Sequence, residues 1–148
     1  MTTPRHHDEG ILQRAALRVA GSGLDGDWVT SQLSLAPTRF TKEGTVGPGG
    51  VRAVTNVWRY TVPVPTDRPM ETHLRALVSD LRPRQAVLKR MAQDWSVTVW
   101  CSYVTDYAQG TFQIPPDVMA FLSETGVSIT VSVFSWGMVR VDEDEADD

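Results

Sequence analysis

Cysteine is almost absent. Cys101 is the only one in 148 residues, which excludes a disulfide framework within the chain and any zinc site built on several thiolates. Histidine is nearly as scarce, with three residues, so a histidine-rich metal centre has little to draw on. No apolar run approaches the roughly 18 residues that a membrane-spanning helix needs. Met1–Gly10 has no apolar core of the secretory-leader kind. Four of the nine residues from Lys42 to Gly50 are glycine, but a strand pattern follows them, not a helix N-terminus with Lys-Ser/Thr, so a phosphate loop is excluded. These absences lead us to expect a cytoplasmic protein with no membrane contact and no cofactor.

Net charge is also nearly missing from most of the chain. The formal net charge is -4, yet six of the acids lie between Asp142 and Asp148, and the remainder carries about +2. A nearly neutral body argues against a nucleic-acid partner. Aromatics, by contrast, are well supplied: five Trp is a heavy load for one domain. Indoles suit core edges and interfaces, because the N–H needs a partner.

Periodicity lays out the elements. Leu17 and Val19 alternate with Arg18, as in a half-buried strand. Asp25 then stands as the N-cap of a short helix carrying Val29 and Leu33, stopped by Pro37. Residues 52–62 read as a strand with Val54, Trp58, Tyr60 and Val62 on one face and Thr55, Arg59 and Thr61 on the other. Leu74, Leu77, Val78 and Leu81 form a single stripe on a helix over 70–82. Pro83 interrupts it, and Val87, Leu88 and Met91 continue a second piece. Residues 97–104 are apolar on both faces, as in a central strand. A short strand is expected at Thr111–Ile114, then a helix from Pro115 to Gly126. Val127, Ile129, Val131 and Val133 alternate with Ser128, Thr130 and Ser132 in a half-buried strand, and Trp136–Val141 suggests a final edge strand.

This order predicts an α+β fold: a ferredoxin-like βαββαβ sandwich extended by a further β-α-β unit, with an antiparallel or mixed sheet and helices mainly on one face. Residues 1–13 are expected to be a flexible N-terminus, 14–141 a single domain and 142–148 a disordered acidic tail. Two weakly duplicated halves form the alternative.

One set of residues resembles a known family. Leu17, Val19, Leu24, Asp25, Val29, Leu33 and Leu35–Thr38, then Gly44, Trp58, His73, Leu74, Leu77, Leu81, Pro83, Gly126 and Ile129–Phe134 are similar to domain of unknown function 4279, a family of small single-domain bacterial proteins. The resemblance spans roughly residues 14–135. Its motifs are structural and bring no catalytic residues with them. By analogy with other small bacterial families, it admits an immunity-like binding role.

Each candidate for chemistry has an architectural account. His6, His7, Asp8 and Glu9 lack the fixed geometry of a metal site. His73 sits at the start of a helix with no assigned nucleophile or carboxylate beside it. Cys101 alternates with Val99 and Tyr103 on a core face, which favours an inert thiol. Asp25 is explained as a cap, and Asp27 by the dipole of the first turn. Arg75, Arg82, Arg84, Lys89 and Arg90 read as a solvated helix face with no interleaved aromatics. No catalytic, cofactor or metal residue is therefore assigned. Trp100, on the opposite side of its strand from Cys101, and Trp136 are expected partner contacts if one sheet face is open, and Arg82 and Arg84 join them as the basic candidates. The expected function is a non-catalytic protein-binding module, with another protein or a second copy as partner. The alternative is a small-molecule-binding or enzymatic domain with a pocket near the 42–50 loop.

Overall fold

The computed structural model describes residues 11–138. The expected final residues of the last strand (139–141), the acidic tail and His6, His7, Asp8 and Glu9 lie outside the described residues. The protein is α+β. In chain order its elements are β1 (Ile11–Gly21), α1 (Gly26–Leu33), β2 (Arg39–Thr41), β3 (Asn56–Thr61), α2 (Met70–Leu81), α3 (Gln85–Asp94), β4 (Ser96–Tyr107), α4 (Pro116–Thr125) and β5 (Ser128–Met138), with a 3-10 turn at Arg82–Arg84 between α2 and α3. β1 starts inside the segment expected to be flexible. Gln13 anchors it there: its N–H donates to the Thr66 carbonyl at 2.9 Å, and its Oε1 accepts from the Met70 N–H at 2.9 Å.

The five strands form one mixed sheet in the order β2-β3-β1-β4-β5. β1 pairs antiparallel with both β3 and β4, and β2 pairs antiparallel with β3. β5 joins β4 in parallel. A parallel neighbour requires a crossover of a dozen residues or more, which α4 and its loops supply.

Local chemistry sets the helix ends. Asp25 Oδ1 accepts from the N–H groups of Asp27 (3.0 Å) and Trp28 (3.4 Å), satisfying two orphan donors of α1. Pro83 lacks the N–H that would continue α2, so the chain tightens through the 3-10 turn and restarts as α3. Gly126 ends α4 in the left-handed conformation (φ 72°), where an L side chain is disfavoured.

The core lies between one sheet face and the helices. Ala15, Leu17, Val19, Trp58, Val97, Val99 and Cys101 supply the sheet side, and Val29, Leu33, Leu74, Leu77, Leu81, Leu88, Val118 and Phe121 the helix side. Fully burying each Val, Leu or Phe among them is worth roughly 1.5–3 kcal/mol.

Three expectations need correction. Thr111–Ile114 is not a strand. β4 already has β1 and β5 on its two edges, so no pairing site remains beside it, and Pro115-Pro116 removes two donors. Phe112 instead stacks on Tyr103, with centroids 5.8 Å apart. The added unit is therefore β4-α4-β5, with β4 as its first strand. Val54 is not inward: it is 81% exposed, because β3 begins only at Asn56. Residues 52–53 close the 42–53 hairpin instead, through the Val46–Arg52 bridge and the bonds joining Ala53 to Gly44 and Thr45. Finally, Val131 and Val133 are 45% and 60% exposed. The ten residues of α4 extend about 15 Å, whereas the eleven of β5 extend about 36 Å, so the helix covers only the first part of the strand.

Candidate functional site: the uncovered sheet face

Strand alternation and the strand register place Arg39, Thr41, Val57, Arg59, Arg18, Trp100, Thr130 and Phe134 on the sheet face opposite the core. Among the described residues, no helix packs on this side. It divides into a basic part over β2, β3 and β1 and an apolar part at the far end of β5.

In the basic part Arg59 stands directly opposite Arg18 on one side and Arg39 on the other. Trp100 lies one step along the sheet, half-buried. The guanidiniums of Arg18 and Arg59 sit over its ring, 5.4 Å and 5.8 Å from the centroid, within cation–π range. Burial pushes the Arg59 guanidinium below its ordinary pKa, and the charges of Arg18 and then Arg39 push in the same direction.

The apolar part is an aromatic pair on an edge strand. Phe134 and Trp136 meet edge to face, 5.1 Å apart at 87°, and are 54% and 66% exposed. Val131 and Val133 are bare on the other side of the same strand. Among the described residues β5 ends the sheet, so the backbone groups along its outer edge have no neighbouring strand there.

Of the expected contact residues, Trp100 and Trp136 share this face, separated by about 20 Å along the strand direction at roughly 3.3 Å per residue. Arg82 and Arg84 lie elsewhere, at the α2–α3 junction on the helix side. Arg82 is exposed, its guanidinium 5.8 Å from the Phe121 ring centroid. Arg84 turns inward and donates to three carbonyls: Asp80 (2.6 Å), Ser34 (3.3 Å) and Leu33. The structure thus does not bring the four together. Sequence reasoning placed Arg59 outward on its strand but missed the row it forms with Arg18 and Arg39. The signal was there in outline, since Arg18 and Arg59 each flank inward-facing apolar residues.

The remaining candidates are dispersed. His73 is buried at the start of α2, its Nε2 3.2 Å from the Arg68 carbonyl and its Nδ1 without a partner. Cys101 is buried under the helices, and burial pushes its thiol up to about 11. Asp25 and Asp27 line a cleft of about 700 Å³ beside Lys42, Glu43 and Phe40. Much of the polar lining of that cleft is already engaged. Asn56 accepts from the Glu43 N–H (2.7 Å) and donates to the Leu24 carbonyl (3.0 Å), Trp58 donates to Thr30 Oγ1 (3.1 Å), and Asp25 caps α1. Among the described residues, no three His, Cys, Asp or Glu side chains are grouped to hold a metal ion, and no helix is long and apolar enough to cross a membrane.

These features define a single-sheet α+β protein with one face covered by helices and the other presenting arginine and aromatic side chains. A family model for a domain of unknown function, DUF4279, matches residues 11–136, and the chain belongs to that family. No curated protein and no solved structure matches it.

Proposed function

We propose that this protein is a non-catalytic module that binds another protein, or a second copy of itself, through β5 and the adjoining uncovered face. The observation that carries the reading is the exposed apolar side chains on both sides of β5, Val131 and Val133 on one and Phe134 and Trp136 on the other, on a strand whose outer edge has no neighbour among the described residues. A large exposed apolar patch marks a contact surface, and an open edge can accept a strand from a partner. Aromatic side chains are the usual anchors of such interfaces. The dispersal of His73, Cys101 and the Asp25/Asp27 pair over three separate places supports the non-catalytic part.

Size-exclusion chromatography with light scattering on the full chain, together with affinity capture from the native host, tests this reading. A dimer or a specific captured partner is expected, weakened at least tenfold in Trp136→Lys. A monomer at every concentration, with no partner retained, overturns it.

The same reading takes β1 to β4, ordered β2-β3-β1-β4 and antiparallel throughout, as a ferredoxin-like sandwich to which β5 is added; that strand order supports it. It also keeps the expected cytoplasmic, bacterial setting. A second reading, small-molecule binding, is favoured by the cleft at Asp25, Asp27, Lys42 and Glu43. Backbone NMR shifts clustered there on addition of a metabolite mixture would promote it. Shifts confined to β5 on addition of a protein partner would retire it.

A further inference from the structure

The row Arg39–Arg59–Arg18 gathers three like charges on the uncovered face. Like charges directly opposite one another across strands are destabilising, yet here three guanidiniums occupy adjacent strands at one level. Among the described residues the recorded ion pairs all involve Arg75, on α2, so none of the three has a carboxylate partner. The positions flanking the row on the same face, Ala16, Ala20, Val57 and Thr61, are uncharged. Between the arginines lies a shallow hollow of about 140 Å³, bordered by Val57 and the hydroxyl-bearing Thr41. At roughly 30 Å³ per water, it holds a few water molecules or one small oxyanion. Trp100 fixes the Arg18 and Arg59 side chains from the side facing β4.

We propose that Arg18, Arg39 and Arg59 form a binding site for the phosphate group of a small phosphorylated molecule, with Thr41 as a further hydroxyl donor. Guanidinium forks match phosphate oxygens, and charge-assisted hydrogen bonds of this type are the strong ones. Three positive charges call for a dianion; a single carboxylate would leave most of the repulsion in place. A small ligand fits better than a long polyanion because strands at about 4.8 Å spacing make the row only about 10 Å wide. The chain as a whole carries -4, which repels extended polyanions at low salt. This site lies on β2, β3 and β1, away from the β5 side chains on which the binding proposal rests, so failure of either proposal leaves the other intact.

The test is calorimetric titration of the full chain with inorganic phosphate, at low ionic strength and slightly alkaline pH, where phosphate is mostly dianionic. Chloride at matched ionic strength is the reference, and a single-stranded oligonucleotide is titrated separately. Phosphate is expected to bind and to raise the melting temperature, with affinity falling about tenfold or more in Arg39→Gln and in Arg59→Gln. Arg75→Gln, which alters the surface pairs with Glu71 and Asp117, is expected to bind as wild type does. Arg39 is exposed, so its variant folds and reads binding alone. The proposal is overturned if phosphate behaves as chloride does, if the two variants bind unchanged, or if the oligonucleotide binds and phosphate does not.

Discussion

The Tyr60 hydroxyl donates to Asp80 Oδ2 at 2.7 Å, fastening β3 to the outer side of α2. Burial is the first cause that pushes the phenol up to about 12, followed by this hydrogen bond and the Asp80 charge, while Arg84 opposes them. A phenol whose folded pKa lies above its unfolded value near 10 contributes stability that is complete below about pH 10 and lost as pH rises from there toward 12. Tyr60→Phe is expected to cost about 1 kcal/mol at neutral pH and to flatten the alkaline end of the stability curve. Urea denaturation of both proteins between neutral pH and the alkaline limit checks this. An alkaline slope shared by wild type and variant would assign it to other groups.

Arg84 and Arg82 are two residues apart and are expected to behave differently. Arg84→Ala strips donors from the Leu33, Ser34 and Asp80 carbonyls and should destabilise by about 1–3 kcal/mol. Arg82 is exposed and its guanidinium lies over the Phe121 ring, so Arg82→Ala should cost no more than about 1 kcal/mol. Lysine cannot restore Arg84, because a single ammonium does not reproduce the planar fork. Thermal melts of Arg82→Ala, Arg84→Ala and Arg84→Lys decide the matter, and equal losses at the two positions would contradict the inward placement of Arg84.

His73 gives the protein an acid-side sensitivity. Burial lowers its pKa. The carbonyls of Arg68 and Pro65 and the charge of Asp67 work against that, and the charge of Arg14 adds to it. With the folded pKa below the unfolded value of about 6.5, the unfolded chain takes up the proton more readily. Stability from this group is therefore complete above about pH 6.5 and falls as the pH drops below it. The wild type should lose stability between neutral and mildly acidic pH more steeply than His73→Leu, which cannot titrate. Urea midpoints for the two proteins over that range test this; parallel curves would remove His73 as the cause.

Much of the scaffold is legible because its signals are local. Asp25 caps α1 by reaching amides two and three residues away. The α2 stripe needs only the helical repeat to gather Leu74, Leu77, Val78 and Leu81, which are all buried. The misreadings occur where local pattern met a non-local limit. Thr111–Ile114 has strand-like residues but no free sheet edge beside β4. Val131 and Val133 alternate as a half-buried strand should, but α4 is too short to cover them.

The candidate site divides along the same line. Alternation alone sets Trp100 opposite Cys101, because successive side chains in a strand point to opposite faces. The arginine row has no such sequence signature. Arg18, Arg39 and Arg59 are each about twenty residues apart, and only the pairing of β1, β3 and β2 makes them neighbours. Conversely, the dense basic stretch from Arg75 to Arg90 disperses once folded: Arg75 pairs weakly with Glu71 and Asp117, and Arg84 turns inward.

By itself, then, the sequence determined the helices, with the Asp25 cap of α1, the buried stripe of α2 and the Gly126 stop of α4, and the alternation of the central strands, since those follow from forces acting over a few residues. Only the tertiary structure decided which strands lie side by side, which face is left bare, and which charges end up in one row. Those outcomes depend on strand order and on the relative lengths of packed elements, and neither is encoded in any single stretch.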